Sequence, residues 1–443
     1  MIKTPFLVKI LWTLSIVAML TGCSVHTQHT GADVSNTIKD RTGHDLLLNN
    51  ENKGPILPDD VSLSDGLTED EAVAIALWNN ALFQTELVQL GFAKADLIEA
   101  GLLRNPIFSL LFPLGPKQLE ATLNFPLEFF WQRPNRVAVA KLNAEMIADN
   151  LVQYGLNLVR DVRMAYTQLI LAREHEKIVK EISVLQHEIA DIASTRLEVG
   201  DISGLEETAF LLEAARKQES SINSVRDSKL SENRLISLLG LGLQDTPFKI
   251  SGIPLLSEKN YELSELYEVA FSARPDLRGA EIRIEKAGRN IGWERSKILN
   301  LTASLDANAE GKEGFEIGPG MQLELPLFSW NKGKIARAQA ELEQASKHYL
   351  ALKQQVTNEV LEAYTSLLAA RQSLEIWKKE VFTLAENTKN NAKNAFNVGE
   401  ISYLELLAFK QQFLETCLHK ANTEAAVRQA EINLKYSLGF KLK

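Results

Sequence analysis

The chain has 443 residues, of which 45% are hydrophobic and 24% are charged, and its formal net charge is −9. This acidic balance argues against nucleic acid as a partner, because phosphate binding requires clustered lysines and arginines. The length would allow two or three ordinary domains.

Residues 1–22 predict a signal peptide. Lys3 and Lys9 give a positively charged start, and the apolar run Ile10–Leu20 follows them. That run is shorter than the ~20 residues that a membrane-spanning helix needs, but it is typical of a secretory signal. We therefore expect residues 1–22 to be removed on export.

Cys23 follows two small residues directly. This arrangement resembles the lipobox of bacterial lipoproteins, in which the cysteine thiolate is acylated. We expect Cys23 to become the N-terminus and to carry covalent diacylglyceryl and acyl chains, with no other cofactor. The alternative is an ordinary cleaved signal with a chance cysteine. The second cysteine is Cys417, so acylation of Cys23 leaves no intramolecular disulfide.

Two stretches of the chain repeat each other. Motifs recur in the same order at an offset of 198 or 199 residues. They are Val162–Tyr166, Val199–Ser203 and Leu238–Gly240 in one copy, and Val360–Tyr364, Val398–Ser402 and Ser437–Gly439 in the other. Such order indicates an internal duplication. We predict a first structural repeat at 67–240, a connector at 241–262 and a second repeat at 263–443, after a lipidated tether at 23–66.

Each repeat is predicted to contain one long helix. No proline lies between Pro134 and Pro247 or after Pro326, and hydrophobic residues follow a heptad seam in both stretches, for example from Val356 to Leu384. A helix over 135–198 would be ~96 Å long at 1.5 Å per residue. This length favours a helical hairpin over the alternative, the core stripe of a soluble bundle.

Glycines predict where the chain turns back. Gly200 and Gly399 are placed to end the long helices, and Ser203 and Ser402 are the predicted N-caps of the helices that return. The two return helices and two further short helices are predicted over 205–239, 404–438, 67–104 and 263–297. Each return helix is only about half as long as the long helix it pairs with. The two short helices would pair with the remaining half.

Four short segments change the hydrophobic period from 3.6 to 2. They lie at 107–112, 119–125, 301–309 and 315–325, and all but the first alternate cleanly. Short turns would join them into two hairpins. A half-buried soluble sheet is the usual explanation, whereas export and strand length favour membrane strands. Because known membrane barrels begin at ~8 strands, several chains would have to contribute to one barrel.

The motif Arg274-Pro275-Asp276-Leu277 resembles the signature of TolC-type outer-membrane efflux proteins. Leu325–Phe328 before a long helix, the paired Val-Gly turns and the lipobox belong to the same resemblance. In the first repeat, Asn79–Leu82 stands at the position of the signature. More loosely, Leu127, Glu128 and residues 133–140 resemble the metal-efflux (CzcC-like) branch.

The resemblance implies a mainly α fold with a small β part. Duplicated long-helix hairpins would form an α-helical barrel, and four amphipathic strands per chain would contribute to a trimeric 12-stranded transmembrane β-barrel. The implied protein is a homotrimer in outer-membrane lipid, lipid-anchored and extending into the periplasm. It would be the passive channel of a tripartite efflux system, with a periplasmic adaptor (membrane fusion protein) and an inner-membrane pump of RND type as partners.

The resemblance also assigns the hairpin turns to the adaptor. The implied contact residues are Val199, Gly200, Asp201, Ser203, Val398, Gly399, Glu400 and Ser402. Glu405, with Glu206 at the equivalent place in the first repeat, is the candidate for an acidic ring at the tunnel aperture, where converging carboxylates would favour cations. A solvated helix charge is the alternative for Glu405, and Ala408 lacks the second acidic position found in some members.

No catalytic or metal site is expected. The seven histidines form no H-x-x-x-H or Cys/His set with zinc spacing. No glycine-rich phosphate loop follows a strand, so energy would come from a partner. We therefore predict that the chain is not an enzyme. The rival hypothesis is a structural or adaptor-like coiled-coil lipoprotein of the periplasm without a channel, and a periplasmic enzyme is a third.

Overall fold

The computed structural model describes residues 30–47, 55–58, 61, 66–114, 119–242, 249–251, 259–309 and 314–441. The predicted signal peptide and Cys23 lie outside these residues. The chain divides into two compact units. The first contains the described parts of Met1–Val34, Leu87–Leu151 and Pro275–Leu352, and the second contains those of Ser35–Glu86, Val152–Arg274 and Lys353–Lys443. Each unit therefore combines segments of both predicted repeats.

Most of the described chain is helical. The helices are α1 (Gly31–Thr42), α2 (Glu69–Asn79), α3 (Ala81–Leu87), α4 (Gln89–Gly101), α5 (Phe129–Glu198), α6 (Gly204–Leu239), α7 (Leu263–Ala273), α8 (Pro275–Ser296), α9 (Lys332–Ile376), α10 (Phe382–Asn397) and α11 (Tyr403–Ser437). A π-helical turn, Trp377–Val381, connects α9 to α10. Among the described residues, no helix combines the length and the hydrophobicity that crossing a membrane requires.

The strands form one antiparallel sheet in the first unit. They are β1 (Ile107–Leu111), β2 (Leu119–Pro126), β3 (Asn300–Ala309) and β4 (Phe315–Glu324), in the order β1-β2-β3-β4. The β2–β3 pair joins the two predicted hairpins, with Leu123 opposite Leu305. Because residues directly opposite each other share a face, the odd-numbered apolar residues of β2, β3 and β4 lie on one face and the even-numbered polar residues on the other.

The poor alternation of β1 has a consequence for the sheet. Its register places Phe108 opposite Leu123, on the apolar face of the sheet. Ile107 and Leu111 therefore lie on the polar face, opposite Asn124 and Glu120. This edge strand is thus apolar on both faces.

Helix α5 begins earlier than predicted. Its first residue is Phe129 rather than residue 135, so Pro134 lies inside the helix. Pro134 lies beyond the first turn, where a proline removes one backbone hydrogen bond and crowds the carbonyl four residues earlier, so other contacts must stabilise this start. The guanidinium groups of Arg133 and Arg136 donate to carbonyls of the last residues of α4, at 2.7 and 2.8 Å. These tertiary bonds hold the first turns of α5 in place.

Two helices predicted as continuous are interrupted. The helix predicted over 263–297 is divided into α7 and α8, because Arg274 is extended and a residue before a proline disfavours the helical conformation. The helix predicted over 67–104 is divided at Asn80, which is also extended, and again before Gln89. The sequence comparison set Asn79 against Arg274, whereas in the structure Asn80 is the equivalent extended residue at the end of its helix, one position later.

Both interruptions make the same contact. Asn80 Nδ2 donates to the carbonyl oxygen of Leu238 at 2.9 Å, and Arg274 Nη1 donates to that of Ser437 at 3.3 Å. Leu238 and Ser437 are equivalent residues at the ends of the two return helices. Further equivalent contacts join Tyr166 to Leu67 and Tyr364 to Tyr261, and Arg173 to Glu232 and Arg371 to Glu431. The repeats therefore share tertiary contacts as well as sequence.

The predicted heptad seam of the second repeat is wrong at Leu384, after the half-buried Trp377 and Val381. Val356, Val360 and Leu374 are buried as predicted, but Leu384 is 65% exposed. Beyond the π turn the buried position is Ala392. The hydrophobic seam has moved one residue later in the chain.

The π turn accounts for this shift. The repeat offset is 198 up to Arg371 and 199 from Val398, so the second copy holds one additional residue between them. An i→i+5 turn closes one residue more than an α turn, and so it absorbs an insertion without rotating the rest of the helix. Phe382 then packs against Phe413 of α11, with ring centroids 5.7 Å apart.

Candidate functional site

The two hairpin turns have the same backbone. Gly200 and Gly399 adopt φ angles of +77° and +79°, a conformation that glycine adopts without strain. In the first turn, the N–H groups of Gly200 and the next residue bond to carbonyls three and five residues earlier, at 2.9 and 2.8 Å; the second turn repeats both bonds at 3.0 and 2.8 Å. This is the Schellman arrangement, and it confirms the predicted turns.

Exposed valines precede both glycines. Val199 and Val398 are 76% and 72% exposed. After the glycine, Asp201 pairs with Arg196 at 2.6 Å, whereas Glu400 lacks this ion pair because an alanine stands where Arg196 does. Each turn therefore presents an apolar side chain beside an acid, and contact with an adaptor stays a prediction for these residues.

Capping boxes begin both return helices. Ser203 and Ser402 are confirmed as N-caps. The Glu206 carboxylate accepts hydrogen bonds from the N–H and hydroxyl of Ser203 at 2.7 and 3.0 Å, and Glu405 does the same with Ser402 at 2.8 Å each. These bonds lower the pKa of both glutamates. Both carboxylates are therefore held at their own helix starts, and the aperture role stays a prediction.

We expect the variant Ser402→Ala to lower stability by about 1 kcal/mol at neutral pH, since it removes a helix N-cap. The folded-state pKa of Glu405 is lowered, so its bond to the cap stabilises the protein above the ordinary glutamate pKa. That contribution is lost as the pH falls through the folded value. The difference in apparent melting temperature between variant and parent should therefore shrink in acid.

Ser220→Ala is the matched control for this measurement, because Ser220 is an exposed serine inside α6 and caps no helix. It should melt like the parent at every pH. A Ser402→Ala effect that is unchanged in acid would contradict the role assigned to the Glu405 carboxylate.

The start of α11 packs against α5, within the second unit. Leu185 and Ile189 of α5 are buried together with Leu407 of α11. The hydroxyl of Tyr403 donates a hydrogen bond to the Glu188 carboxylate, and this bond raises the pKa of Tyr403. Glu405, the aperture candidate, is thus flanked on α11 by residues that attach the second hairpin to the first.

The family signature has a structural role in this chain. Arg274 is 4% exposed and pairs with Glu359 of α9, besides its bond to Ser437. Pro275 starts α8. The Asp276 carboxylate accepts a hydrogen bond from the Leu277 N–H at 2.9 Å, and Leu277 is buried.

The polar face of the sheet carries only acidic charges. Glu120, Asp306, Glu316 and Glu324 lie on this face, and the four strands contain no lysine, arginine or histidine. Glu120 and Glu316 flank Asn308 in one row across the sheet. In the part of the chain that the structure describes, no group of three or more histidine, cysteine, aspartate or glutamate side chains is arranged to hold a metal ion.

Sequence reasoning missed the contacts of α1. Arg41 Nη1 donates to the carbonyls of Ala273 and Gly439, at 2.6 and 3.2 Å. Ile38 is fully buried against Gly155, where a side chain would collide with it. The sequence offered a signal only at the start of the helix, where Thr30 and Asp33 have the spacing of a helix cap. In the structure the Asp33 carboxylate accepts a hydrogen bond from the Thr30 N–H at 2.7 Å.

A family model described as outer membrane efflux protein matches residues 115–241 and 266–440. The two matched ranges fall on the two repeats and together span more than half of the chain. The chain belongs to the outer membrane efflux protein family. The TolC-type resemblance is thereby confirmed.

Individual proteins resemble this chain in sequence or in fold. The chain is 22% identical over 378 residues to the cobalt-zinc-cadmium resistance protein CzcC of Cupriavidus metallidurans, covering 84% of this chain and 90% of that protein. Among solved structures, the CmeC outer membrane channel of Campylobacter jejuni has a TM-score of 0.72 at 15% identity, covering 91% and 92% of the two chains. The outer-membrane channel OprN has a TM-score of 0.70 at 17% identity, covering 84% and 89%. The predicted fold class, mainly α with a small β part, is confirmed.

Proposed function

We propose that three copies of this chain form the outer-membrane channel of a tripartite efflux system, a passive duct from the periplasm to the exterior. The sheet carries the proposal. Its apolar face is exposed, and β1 and β4 are edges of the sheet among the described strands. An unpaired edge in lipid is prohibitive because no water satisfies its backbone groups. Three sheets joined from β1 to β4 would close a 12-stranded ring, above the minimum of about 8 for membrane barrels.

The hairpin turns support a docking role. Their exposed valines and rigid glycine turns would meet a periplasmic adaptor, and an inner-membrane pump of RND type would supply the energy. Acyl chains on Cys23 would anchor each copy in the outer membrane. The alternative is a coiled-coil lipoprotein without a channel. It would leave the apolar face of the sheet exposed to water.

The polar face of the sheet supports a cationic cargo. Its carboxylates have no basic residue in the strands to balance them, and a narrow cleft lined by one sign of charge concentrates ions of the opposite sign. CzcC is named for resistance to cobalt, zinc and cadmium. Both observations support divalent metal cations as the cargo class.

The variant Met321→Arg is expected to block insertion. Met321 is 71% exposed on the apolar face and lies inside β4 rather than at its ends, and arginine on the lipid side of a membrane strand costs about 2 kcal/mol per chain at such depth. Insertion is measured by membrane fractionation and by the yield of detergent-resistant trimer.

Gln322→Arg is the matched control, because the next residue in β4 lies on the polar face. It should insert normally and weaken the cation preference, read as the reversal potential in a planar bilayer. Equal loss of insertion in both variants would contradict the assignment of the two faces.

A parent protein that leaves the membrane when its acyl chains are cleaved, and forms no conducting trimer, would favour the lipoprotein alternative.

A further inference from the structure

A cluster of basic residues lies at one end of the sheet. We define the junction collar as residues 101–106, 127–136, 293–299 and 325–337, where the chain passes between helices and strands. All four junctions lie at the same end because neighbouring strands are antiparallel. Hydrogen bonds connect them, since Trp131 Nε1 donates to the Ser296 carbonyl at 3.1 Å and Asn331 Nδ2 to the Glu294 carbonyl at 2.7 Å.

The junction collar has the opposite charge to the chain as a whole. It contains eight lysines and arginines and two glutamates, a formal charge of +6 in a chain of −9. The basic residues are Arg104, Arg133, Arg136, Arg295, Lys297, Lys332, Lys334 and Arg337. Both glutamates are buried, and they pair inside the collar, Glu128 with Arg104 at 2.8 Å and Glu294 with Lys297 at 2.6 Å. The collar therefore presents only positive charge to solvent.

Most of the remaining cations are not neutralised. Arg133 and Arg136 donate to backbone carbonyls of α4, which fixes the guanidinium groups without removing their charge. Burial, together with the nearby charges of Arg104 and Arg133, lowers the pKa of Arg136. Like charges are therefore crowded here.

Three further cations are open to solvent. Arg295, Lys332 and Lys334 are exposed, and they form no ion pair with the residues that the structure describes. A multivalent anionic surface would relieve the repulsion among the collar charges.

Aromatic side chains accompany these cations. Phe328 is 99% exposed and Trp330 is 51% exposed, while the Lys297 ammonium lies 3.8 Å from the centre of the Trp293 ring. Aromatic residues of membrane proteins concentrate at the level of the lipid headgroups. The collar begins where the apolar face of the strands ends, which is the headgroup level in the proposed channel.

We infer that the junction collar binds the phosphate groups of anionic phospholipids, in the leaflet from which the helices emerge. This inference rests on the proposed function, because it requires the strands to lie in the membrane. Guanidinium and ammonium groups bind phosphate through charge-assisted hydrogen bonds. The cations are spread over four junctions beside exposed aromatic side chains, a distribution that matches a layer of headgroups better than a single acidic peptide.

The test uses the full-length protein in vesicles of phosphatidylethanolamine with a minor fraction of phosphatidylglycerol. The protein is extracted with detergent, and the phosphatidylglycerol retained per protein is measured by mass spectrometry. The collar variant replaces Arg295, Lys332 and Lys334 by glutamine. The matched control replaces Lys229, Arg234 and Lys393, which are exposed cations on α6 and α10, so both variants lose the same charge.

We expect the collar variant to retain about a hundredfold less phosphatidylglycerol than the parent, since each of the three cations it lacks contributes on the order of fivefold near an anionic surface. The control should retain as much as the parent. Equal retention by the collar variant and the control would overturn the inference. The inference would also be overturned if the collar variant retained as much phosphatidylglycerol as the parent but lost adaptor-dependent export. That result would assign the collar to binding an acidic protein segment.

Conductance recorded from the same vesicles separates the two proposals. A parent protein that conducts but has no preference for phosphatidylglycerol would overturn the lipid site alone. A parent protein that neither inserts nor conducts would overturn the lipid site and the channel together.

Discussion

Replacing Gly240 by alanine is expected to destabilise the protein by about 4 kcal/mol, from a left-handed conformation and steric overlap together. Gly240 ends α6 with a φ of +66°, and a Cβ atom there would overlap the backbone carbonyl of Asn79 and lie 3.1 Å from the Asn80 nitrogen. Backbone atoms cannot move aside as a flexible side chain could. The measurement is the apparent melting temperature of the detergent-solubilised protein.

Two other glycines separate the contributions. Gly200→Ala has a similar φ of +77° but no atom within 4 Å, so it should cost only the conformational part, about 1–2 kcal/mol. Gly242→Ala has neither a positive φ nor a nearby atom and should melt like the parent. A Gly240 variant that melts with the Gly200 variant would contradict the close approach of α6 to the end of α2.

Replacing Arg274 by alanine is expected to cost about 3 kcal/mol, because the Ser437 carbonyl loses this donor and the half-buried Glu359 carboxylate loses its guanidinium partner. Glu359 keeps a hydrogen bond from the Gln355 amide at 2.7 Å. The partner Glu359 has a side chain that is 31% exposed, and solvent screening therefore places the cost at the lower end of the range for buried pairs. The loss should appear as a lower apparent melting temperature and as faster proteolysis.

The control for Arg274 is Arg337→Ala. Arg337 also pairs with a glutamate, but its side chain is 82% exposed, and such surface pairs contribute about 0–1 kcal/mol. A double variant that also replaces Glu359 should be more stable than Arg274→Ala alone, because it removes the carboxylate whose charge has lost the guanidinium. A double variant that loses the sum of both single effects would contradict the ion pair.

Local sequence patterns predicted the turns and caps of this protein correctly. Gly200 and Gly399, followed by Ser203 and Ser402, specify their own conformations through bonds to residues no more than five positions away. The alternation of β2, β3 and β4 likewise predicted which residues share a face. The duplication then extended each correct prediction to a second place in the chain.

Predictions that depended on continuing a pattern were less reliable. The heptad seam was extrapolated through Trp377 to Leu384, but a single inserted residue formed a π turn and moved the seam. The start of α5 was placed after Pro134, whereas hydrogen bonds from Arg133 and Arg136 hold the helix from Phe129 onward. The first error came from an insertion that the regular heptad rule does not include, and the second from tertiary contacts that outweighed the local rule for proline.

The sequence by itself determined the two hairpins, their glycine turns and the two faces of the strands, because these follow from backbone preferences and from hydrophobic period. Tertiary structure alone decided which residues from distant segments meet. Arg41, for example, donates to a carbonyl 398 residues away, and no local pattern encodes that bond. The junction collar arises in the same way, because its eight cations are scattered through four segments of the sequence. Only the antiparallel pairing of the strands brings these segments to one end of the sheet. There the cations form a positively charged region in a chain whose net charge is negative.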